Sequence, residues 1–295
     1  MSVRAAAAAQ PQIGAEGRVL APLGRRVADV IENRPAGAYR VFTALDREGP
    51  TPRAGQFYML AAVERWAKRD GRPFLPRPFS VAMAAEEEEG IRLDFLVEDF
   101  GPGTERLAAL EPGEGLWIVG PLGRSFSLPG ELGGTAGAIL VGGGIGIAPL
   151  AIWRRQLAGA GVPARVVLGF RDRAHTGGLD LFDCSEIRLA SEDGHQGHRG
   201  YVTDLLSVLL EGNDSSTAAV YACGPPAMLE TVRRMCAERE IGAELAMESP
   251  MACGFGACMG CAIPLSGGGF MRLCVDGPVV DAARIETALV AGSGH

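Results

Sequence analysis

Over the first 130 positions the chain alternates short apolar runs with Gly, Pro and acidic breaks. Runs at 39–43, 56–60, 91–97 and 116–119 have the length and texture of strands, and their repetition predicts an antiparallel β-barrel. The acidic string Glu86-Glu87-Glu88-Glu89-Gly90 reads as a solvated hairpin tip, since adjacent like charges repel and glycine allows a turn. Beyond 130 the pattern changes. Residues 138–141, 166–170 and 219–223 are apolar almost throughout, as in strands buried on both faces of a parallel sheet. Helical stretches follow from about Leu150 and from about Ala227, which predicts an α/β layer. The last fifty residues are rich in glycine and cysteine, with one short strand expected at 271–275 to deliver Cys274. The fold class expected is therefore multidomain, β plus α/β: a barrel at 23–130, a parallel-sheet domain at 131–245 and a small third domain at 246–295. Residues 1–22, Ala- and Gly-rich with little periodicity, are expected to form a flexible tail.

Composition narrows the function classes. With 295 residues, 47% of them hydrophobic and 21% charged, the chain has core enough for two domains and a third small one. A formal net charge of −7 argues against a nucleic-acid surface. The most apolar stretch, 137–153, carries four glycines between 142 and 146 and a proline at 149, so it reads as strand, glycine loop and helix start, not as a membrane span. The opening Met-Ser-Val-Arg and five alanines lack the apolar core of a signal peptide, and a cytoplasmic protein is expected.

Four of the seven cysteines are spaced Cys253-x4-Cys258-x2-Cys261-x12-Cys274. That spacing is the plant-type signature of a [2Fe-2S] cluster held on four thiolates. Gly254, Gly256 and Gly260 suit such a loop, because glycine bends through positive φ and lets backbone N–H groups reach the sulfurs. Structural zinc is the alternative, although zinc sites usually arrange their cysteines as two short hooks. Disulfides are not needed by a chain of this size. Cys184 and Cys236 stand alone and read as small buried hydrophobes. The histidines, His175, His195, His198 and His295, show no metal-ligand spacing and read as surface or loop residues.

Two further motifs suit nucleotides. After the strand at 138–141 comes Gly142-Gly143-Gly144-Ile145-Gly146-Ile147-Ala148-Pro149, a glycine turn running into a helix whose N-terminus favours a diphosphate. The third glycine of the dinucleotide fingerprint is absent, and the loop alone is equally compatible with a structural turn. A second glycine turn, Cys223-Gly224-Pro225, ends the later strand. In the barrel region, Arg77-Pro78-Phe79-Ser80 offers a cation and a hydroxyl at what reads as a rigid turn, and Gly101-Pro102-Gly103-Thr104 reads as a loop before a helix; together they suit a flavin and its diphosphate.

The order R-P-F-S, G-P-G-T, G-P-L-G at 120–123, G-G-G-I-G-I-A-P and C-G-P resembles the ferredoxin-NADP reductase superfamily. The run from Met251 to Cys261, with Cys274-x-Asp276-Gly277-Pro278-Val279, looks like one branch of it, the electron-transfer subunits of the NAD-dependent (class 1B) dihydroorotate dehydrogenases of pyrimidine biosynthesis. The resemblance spans about residues 25–282. It implies that Arg77, Pro78, Phe79 and Ser80 contact FAD, that Leu96, Val97 and Glu98 line it, and that Gly103 and Thr104 hold its phosphates. It further implies Gly143, Gly144 and Gly146 facing NAD, and Cys223, Gly224 and Pro225 near the nicotinamide, although Cys223 is equally readable as a small residue closing the sheet end. Cys253, Cys258, Cys261 and Cys274 would bind the cluster. A catalytic FMN-containing partner in a heterotetramer is implied too, with neither nucleic acid nor membrane as partner, and no acid, base or nucleophile need come from this chain. A reductase subunit of a sulfide, sulfite, ferredoxin or hydrogenase system is the rival in the same chemistry, and a zinc-stapled binding module the rival outside it. The sequence departs from the branch in its first twenty residues, in an insertion at 61–72 and at Val280. NAD against NADP stays open: Arg171 suits a 2′-phosphate and Asp172 repels one, while Glu192-Asp193-Gly194 reads as a ribose-side loop or an acidic turn.

Overall fold

Six strands with one apolar face each curl into a closed barrel in the order β1-β2-β5-β4-β3-β6. They are β1 (Arg26–Ala36), β2 (Tyr39–Asp46), β3 (Phe57–Ala62), β4 (Arg77–Glu87), β5 (Gly90–Glu98) and β6 (Gly115–Leu122). This computed structural model describes residues 24–66, 73–134, 137–182, 186–212, 218–290 and 292. The tail at 1–22, Cys184, His295 and positions 67–72 of the insertion lie outside the described residues. Alternation sets the barrel: in β1, Ala28 and Val30 are buried while Val27, Asp29 and Ile31 face out. Phe42, Tyr58 and Phe95 fill the interior, with ring centroids 5.3 Å apart for Phe42–Phe95 and 5.7 Å for Tyr58–Phe95. The acidic string forms the β4–β5 hairpin tip, where Glu87 pairs with Gly90.

The second layer is a seven-stranded sheet. It contains β7 (Gly137–Gly143), β8 (Ala164–Phe170), β9 (Ile187–Ser191), β10 (His198–Arg199), β11 (Ala218–Cys223), β12 (Ala243–Ala246) and β15 (Val279–Asp281). Their order is β10-β9-β8-β7-β11-β12-β15, parallel throughout except for β15. The chain begins at β7, builds outward through β8 and β9, and then returns to the other side of β7 as β11. A topological switch point thus lies between the C-terminal ends of β7 and β11, where α/β sheets bind ligands. Three helices pack on the sheet: α2 (Ala148–Gly159), α3 (Val202–Leu210) and α4 (Pro226–Ala237). A short helix, α1 (Pro102–Ala108), follows β5 in the barrel. Among the described residues no helix is long and apolar enough to cross a membrane.

The barrel and the sheet share one core. Phe126, Trp153 of α2 and Tyr221 of β11 pack together with centroids 5.4–5.6 Å apart, and the Tyr221 hydroxyl donates to the Ser127 carbonyl at 2.7 Å. The C-terminal segment adds a hairpin of β13 (Ala262–Pro264) and β14 (Phe270–Arg272), then a helical turn, α5 (Leu273–Asp276). It does not stand apart. Its β15 pairs antiparallel with β12 and completes the sheet, and Arg124 N donates to the Gly277 carbonyl at 2.5 Å.

Candidate functional site

The four predicted cluster cysteines come together over the outer face of the barrel. Gly254 and Gly256 hold positive φ, 79° and 85°, as the loop requires. Gly260 does not; the third left-handed position is taken by Met259 at φ 58°. Backbone amides aim at sulfur: Gly256 N donates to Cys274 Sγ at 3.1 Å, Cys274 N to Cys261 Sγ at 3.4 Å and Gly260 N to Cys258 Sγ at 3.5 Å. Cys274 sits in α5 and not in the strand expected over 271–275: the strand ends at Arg272, whose N bonds Asp276 Oδ2 and starts a turn there.

The sulfurs fall into two pairs. The Cys261 and Cys274 thiols share a hydrogen bond, which brings Cys261 down to about 6 against the effect of burial and pushes Cys274 up. Burial works to raise Cys253, yet N–H groups of Phe255 and Cys258 and the Cys258 thiol bring it down to about 7. Paired thiolates with backbone donors fit a two-iron cluster. Cys261 and Cys274 are buried, Cys253 is half-buried and Cys258 is exposed.

The motif Arg77–Ser80 is a strand, not the turn that Pro78 led us to expect. Residues 77–80 pair only with β3, whereas β5 joins β4 from Val81 onward. The other edge of this stretch is unpaired, which is where a strand tolerates proline and where main-chain groups remain for a ligand. A β-carbon on Gly103 would stand 2.8 Å from Arg77 Nε, so the guanidinium lies directly against the start of α1 and a larger residue there would make it shift. Arg77 has no carboxylate partner among the described residues; its Nη1 donates to the Leu75 carbonyl, and it lies 6.0 Å from the Trp66 ring. A cation held without counter-charge beside a helix start suits a diphosphate.

Thr104 plays a different part from the one its motif implies. Its hydroxyl accepts from Phe100 N and Gly101 N and donates to the Gly101 carbonyl, so it is committed to the turn. Leu96 and Val97 are buried in the barrel core. Glu98 reaches His175 Nε2 at 3.3 Å, and His175 Nδ1 lies 2.7 Å from Asp172 Oδ1. His175 also meets Tyr39 edge-on at 5.7 Å. It is therefore a domain-interface residue, not a surface one. Sequence spacing gave no sign of this, because Glu98 and Tyr39 lie in distant elements.

At the switch point Gly142 pairs with Cys223. A β-carbon on Gly143 would meet Met228 Sδ at 2.6 Å and Pro225 at 2.9 Å, and one on Gly146 would meet Gly224 Cα at 2.6 Å. Gly144 differs. With φ 54° and nothing closer than the Tyr39 hydroxyl at 3.7 Å, it faces open space. The structural and the ligand reading of this loop thus divide by residue: Gly143 and Gly146 pack the two turns together, and Gly144 leaves the backbone approachable. Cys223 is buried, and burial, with the charge of Glu248 adding to it, holds its thiol well above the ordinary range. Glu192–Gly194 form a tight turn, with Gly194 N on the Ser191 carbonyl and the buried Ser191 hydroxyl bonded to the Gln196 carbonyl.

Comparison with known proteins agrees with this arrangement. Residues 248–286 match the iron-sulfur cluster binding domain of dihydroorotate dehydrogenase B. The electron transfer subunit of dihydroorotate dehydrogenase B (NAD(+)) from Clostridium acetobutylicum is 36% identical over 77% of this chain and 83% of its own. The corresponding subunit from Caldanaerobacter subterraneus subsp. tengcongensis is 31% identical over 88% and 97%. Among solved structures, the NADH-dependent reduced ferredoxin-NADP oxidoreductase superposes with a TM-score of 0.72, at 24% identity, over 90% of this chain and 91% of that one, a likeness of fold.

Proposed function

The chain belongs to the family of dihydroorotate dehydrogenase B (NAD(+)) electron-transfer subunits, and from that membership we propose that it passes electrons from a dihydroorotate-oxidising partner subunit through a [2Fe-2S] cluster and FAD to NAD+. The cluster supplies single-electron transfer, and the flavin the exchange between single electrons and a hydride.

The rest is the work of this chain's own residues. Cys253, Cys258, Cys261 and Cys274 hold the cluster, and the amides of Gly256 and Gly260, donating to sulfur, favour the added negative charge. Arg77 and the start of α1 at Gly103 take the flavin diphosphate, while Pro78, Phe79 and Ser80 offer the flavin an unpaired strand edge. Leu96, Val97 and Glu98 support that edge from the neighbouring strand. Gly144 admits the NAD diphosphate, with Gly143 and Gly146 locked against Cys223, Gly224 and Pro225 on the nicotinamide side. Cys223 is buried at the sheet end, where burial raises its thiol above the ordinary range, and its part there is packing. Arg171 pairs with Asp172 and His175, and the Asp172 carboxylate beside it would repel a 2′-phosphate, which supports NAD over NADP. The partner is the FMN-containing catalytic subunit in a heterotetramer, acting in the cytoplasm, where thiols stay reduced.

The observation that carries this reading is the set of backbone amides aimed at three of the four cysteine sulfurs, Gly256 N at Cys274, Gly260 N at Cys258 and Cys274 N at Cys261. The test is anaerobic co-purification with the catalytic partner. Iron, acid-labile sulfide, FAD and a rhombic EPR signal after dithionite are expected, together with dihydroorotate-dependent NAD+ reduction. A colourless zinc protein overturns the reading. Complete cofactors without that activity would move the chain to another redox system.

A further inference from the structure

Met59 occupies the space between the two redox motifs. It lies on β3 directly opposite Pro78 of β4 and Val119 of β6. Residues opposite one another in a sheet share a face, and adjacent strands lie about 4.8 Å apart. The next pair along β3, Phe57 with Ser80, puts Ser80 on that same face. This face points away from the barrel interior. Tyr58 and Leu60 belong to the barrel core, whereas Phe57 and Met59 share a second core with Leu122, Cys261, Cys274 and Met271.

The cluster loop closes over this face at one point. A β-carbon on Gly254, the residue after Cys253, would stand 2.6 Å from Met59 Cγ and 2.9 Å from its Sδ. Met59 is only 2% exposed. One packed thioether side chain therefore has the Cys253–Gly254 backbone above it and the flavin motif one strand away. Its sulfur is polarisable and its shape adaptable, which suits a close contact with bare backbone.

Resting on the proposed cluster and flavin sites, we propose that Met59 is a positioning residue for electron transfer: it sets the separation between the cluster loop and the flavin edge of β4. Electrons cross singly from the reduced cluster to oxidised flavin, and two such transfers with one proton complete its reduction. Met59 contributes no proton and no bond. It fixes how far each electron travels.

The test uses the full chain with its catalytic partner and the variants Met59→Ala, Met59→Val and Met59→Leu. Iron, sulfide and FAD contents are measured first; their absence from the unaltered protein would sink the proposed function itself. Single electrons are then introduced by photoreduction, and equilibration between cluster and flavin is followed optically. A slowing of about tenfold is expected for Met59→Ala, a smaller one for Met59→Val and little change for Met59→Leu. Midpoint potentials and the g values of the reduced cluster stay as in the unaltered protein. An unchanged rate in Met59→Ala with full cofactor content overturns the inference. Should that variant fail to assemble, Met59→Val decides in the same way. Slowing by Met59→Leu equal to that of Met59→Ala also overturns it, because filling the space would then not matter.

Discussion

Gly146 is in backbone contact with Gly224: a β-carbon built on Gly146 would lie 2.6 Å from both the Cα and the N of Gly224. The contact joins the glycine turn after β7 to the turn after β11, across the point where the strand order reverses. Both sides are main chain, so neither can swing aside as a side chain would.

Gly146→Ala is therefore expected to force the two turns apart, at an overpacking cost of about 1–3 kcal/mol. The KM for NADH rises in a ferricyanide assay, while FAD and iron contents remain. Gly144→Ala separates the roles. It adds strain of about 1–2 kcal/mol, because the position is left-handed, and it clashes with no protein atom. Its loss in NADH binding should exceed its loss in melting temperature.

The signals legible in the sequence were those carried by neighbouring residues. The cysteine spacing and the glycine turns act over a few positions, and so does the hairpin tip at Glu87–Gly90, which needs only local charge repulsion and one flexible residue. What escaped depends on distant partners. Pro78 looked like a turn because nothing in its neighbours shows that β5 stops short of it. Strand β15 has three residues and exists through its pairing with β12. In β1 the exposed Val27 and Ile31 blur the alternation of the buried Ala28 and Val30, and a barrel is needed to give one face an inside.

Arg77 stands against Gly103 and forms no ion pair among the described residues, so removing its charge would leave the proposed diphosphate unanswered. Arg77→Ala should weaken FAD binding by about 1.5–3 kcal/mol, roughly ten- to hundredfold. Arg77→Lys keeps the charge but not the planar fork, and should recover only part. Flavin fluorescence on dilution reads the dissociation constant directly. Equal FAD retention by all three proteins would remove Arg77 from the site.

Glu230 of α4 ties down the end of the chain. It accepts from Arg233 Nη2 at 2.6 Å, from Ala288 N at 2.7 Å and from Thr287 Oγ1 at 3.1 Å. The Arg233 guanidinium first, then the Ala288 amide and the Thr287 hydroxyl, outweigh burial and lower the carboxyl from 4.5 to about 2. A depressed carboxylate pKa gives stability that is present above pH 4.5 and lost as pH falls toward 2. Glu230→Gln should thus melt below the unaltered apoprotein at neutral pH, with the gap closing across that acid window. Hydrogen exchange at 287–289 should rise in the variant at pH 7.

The loop that carries Cys253, Cys258 and Cys261 leaves apolar surface exposed beside Cys258. Phe255 is 48% exposed and Met259 54%, both flanking the exposed Cys258. Isolated surface apolar residues are ordinary, but these border the proposed cluster site, and Met259 is held in a left-handed backbone conformation at φ 58°. Such strain for a side chain other than glycine persists only where its surroundings enforce it. If the catalytic subunit docks here, Phe255→Ala and Met259→Glu should weaken the complex. Dihydroorotate-dependent NAD+ reduction should fall at limiting subunit concentration and recover in excess partner, while NADH-to-ferricyanide turnover by the isolated subunit stays unchanged. Size-exclusion chromatography of the two subunits at matched concentrations measures the loss directly. Unimpaired assembly of both variants would place the docking surface elsewhere on the chain.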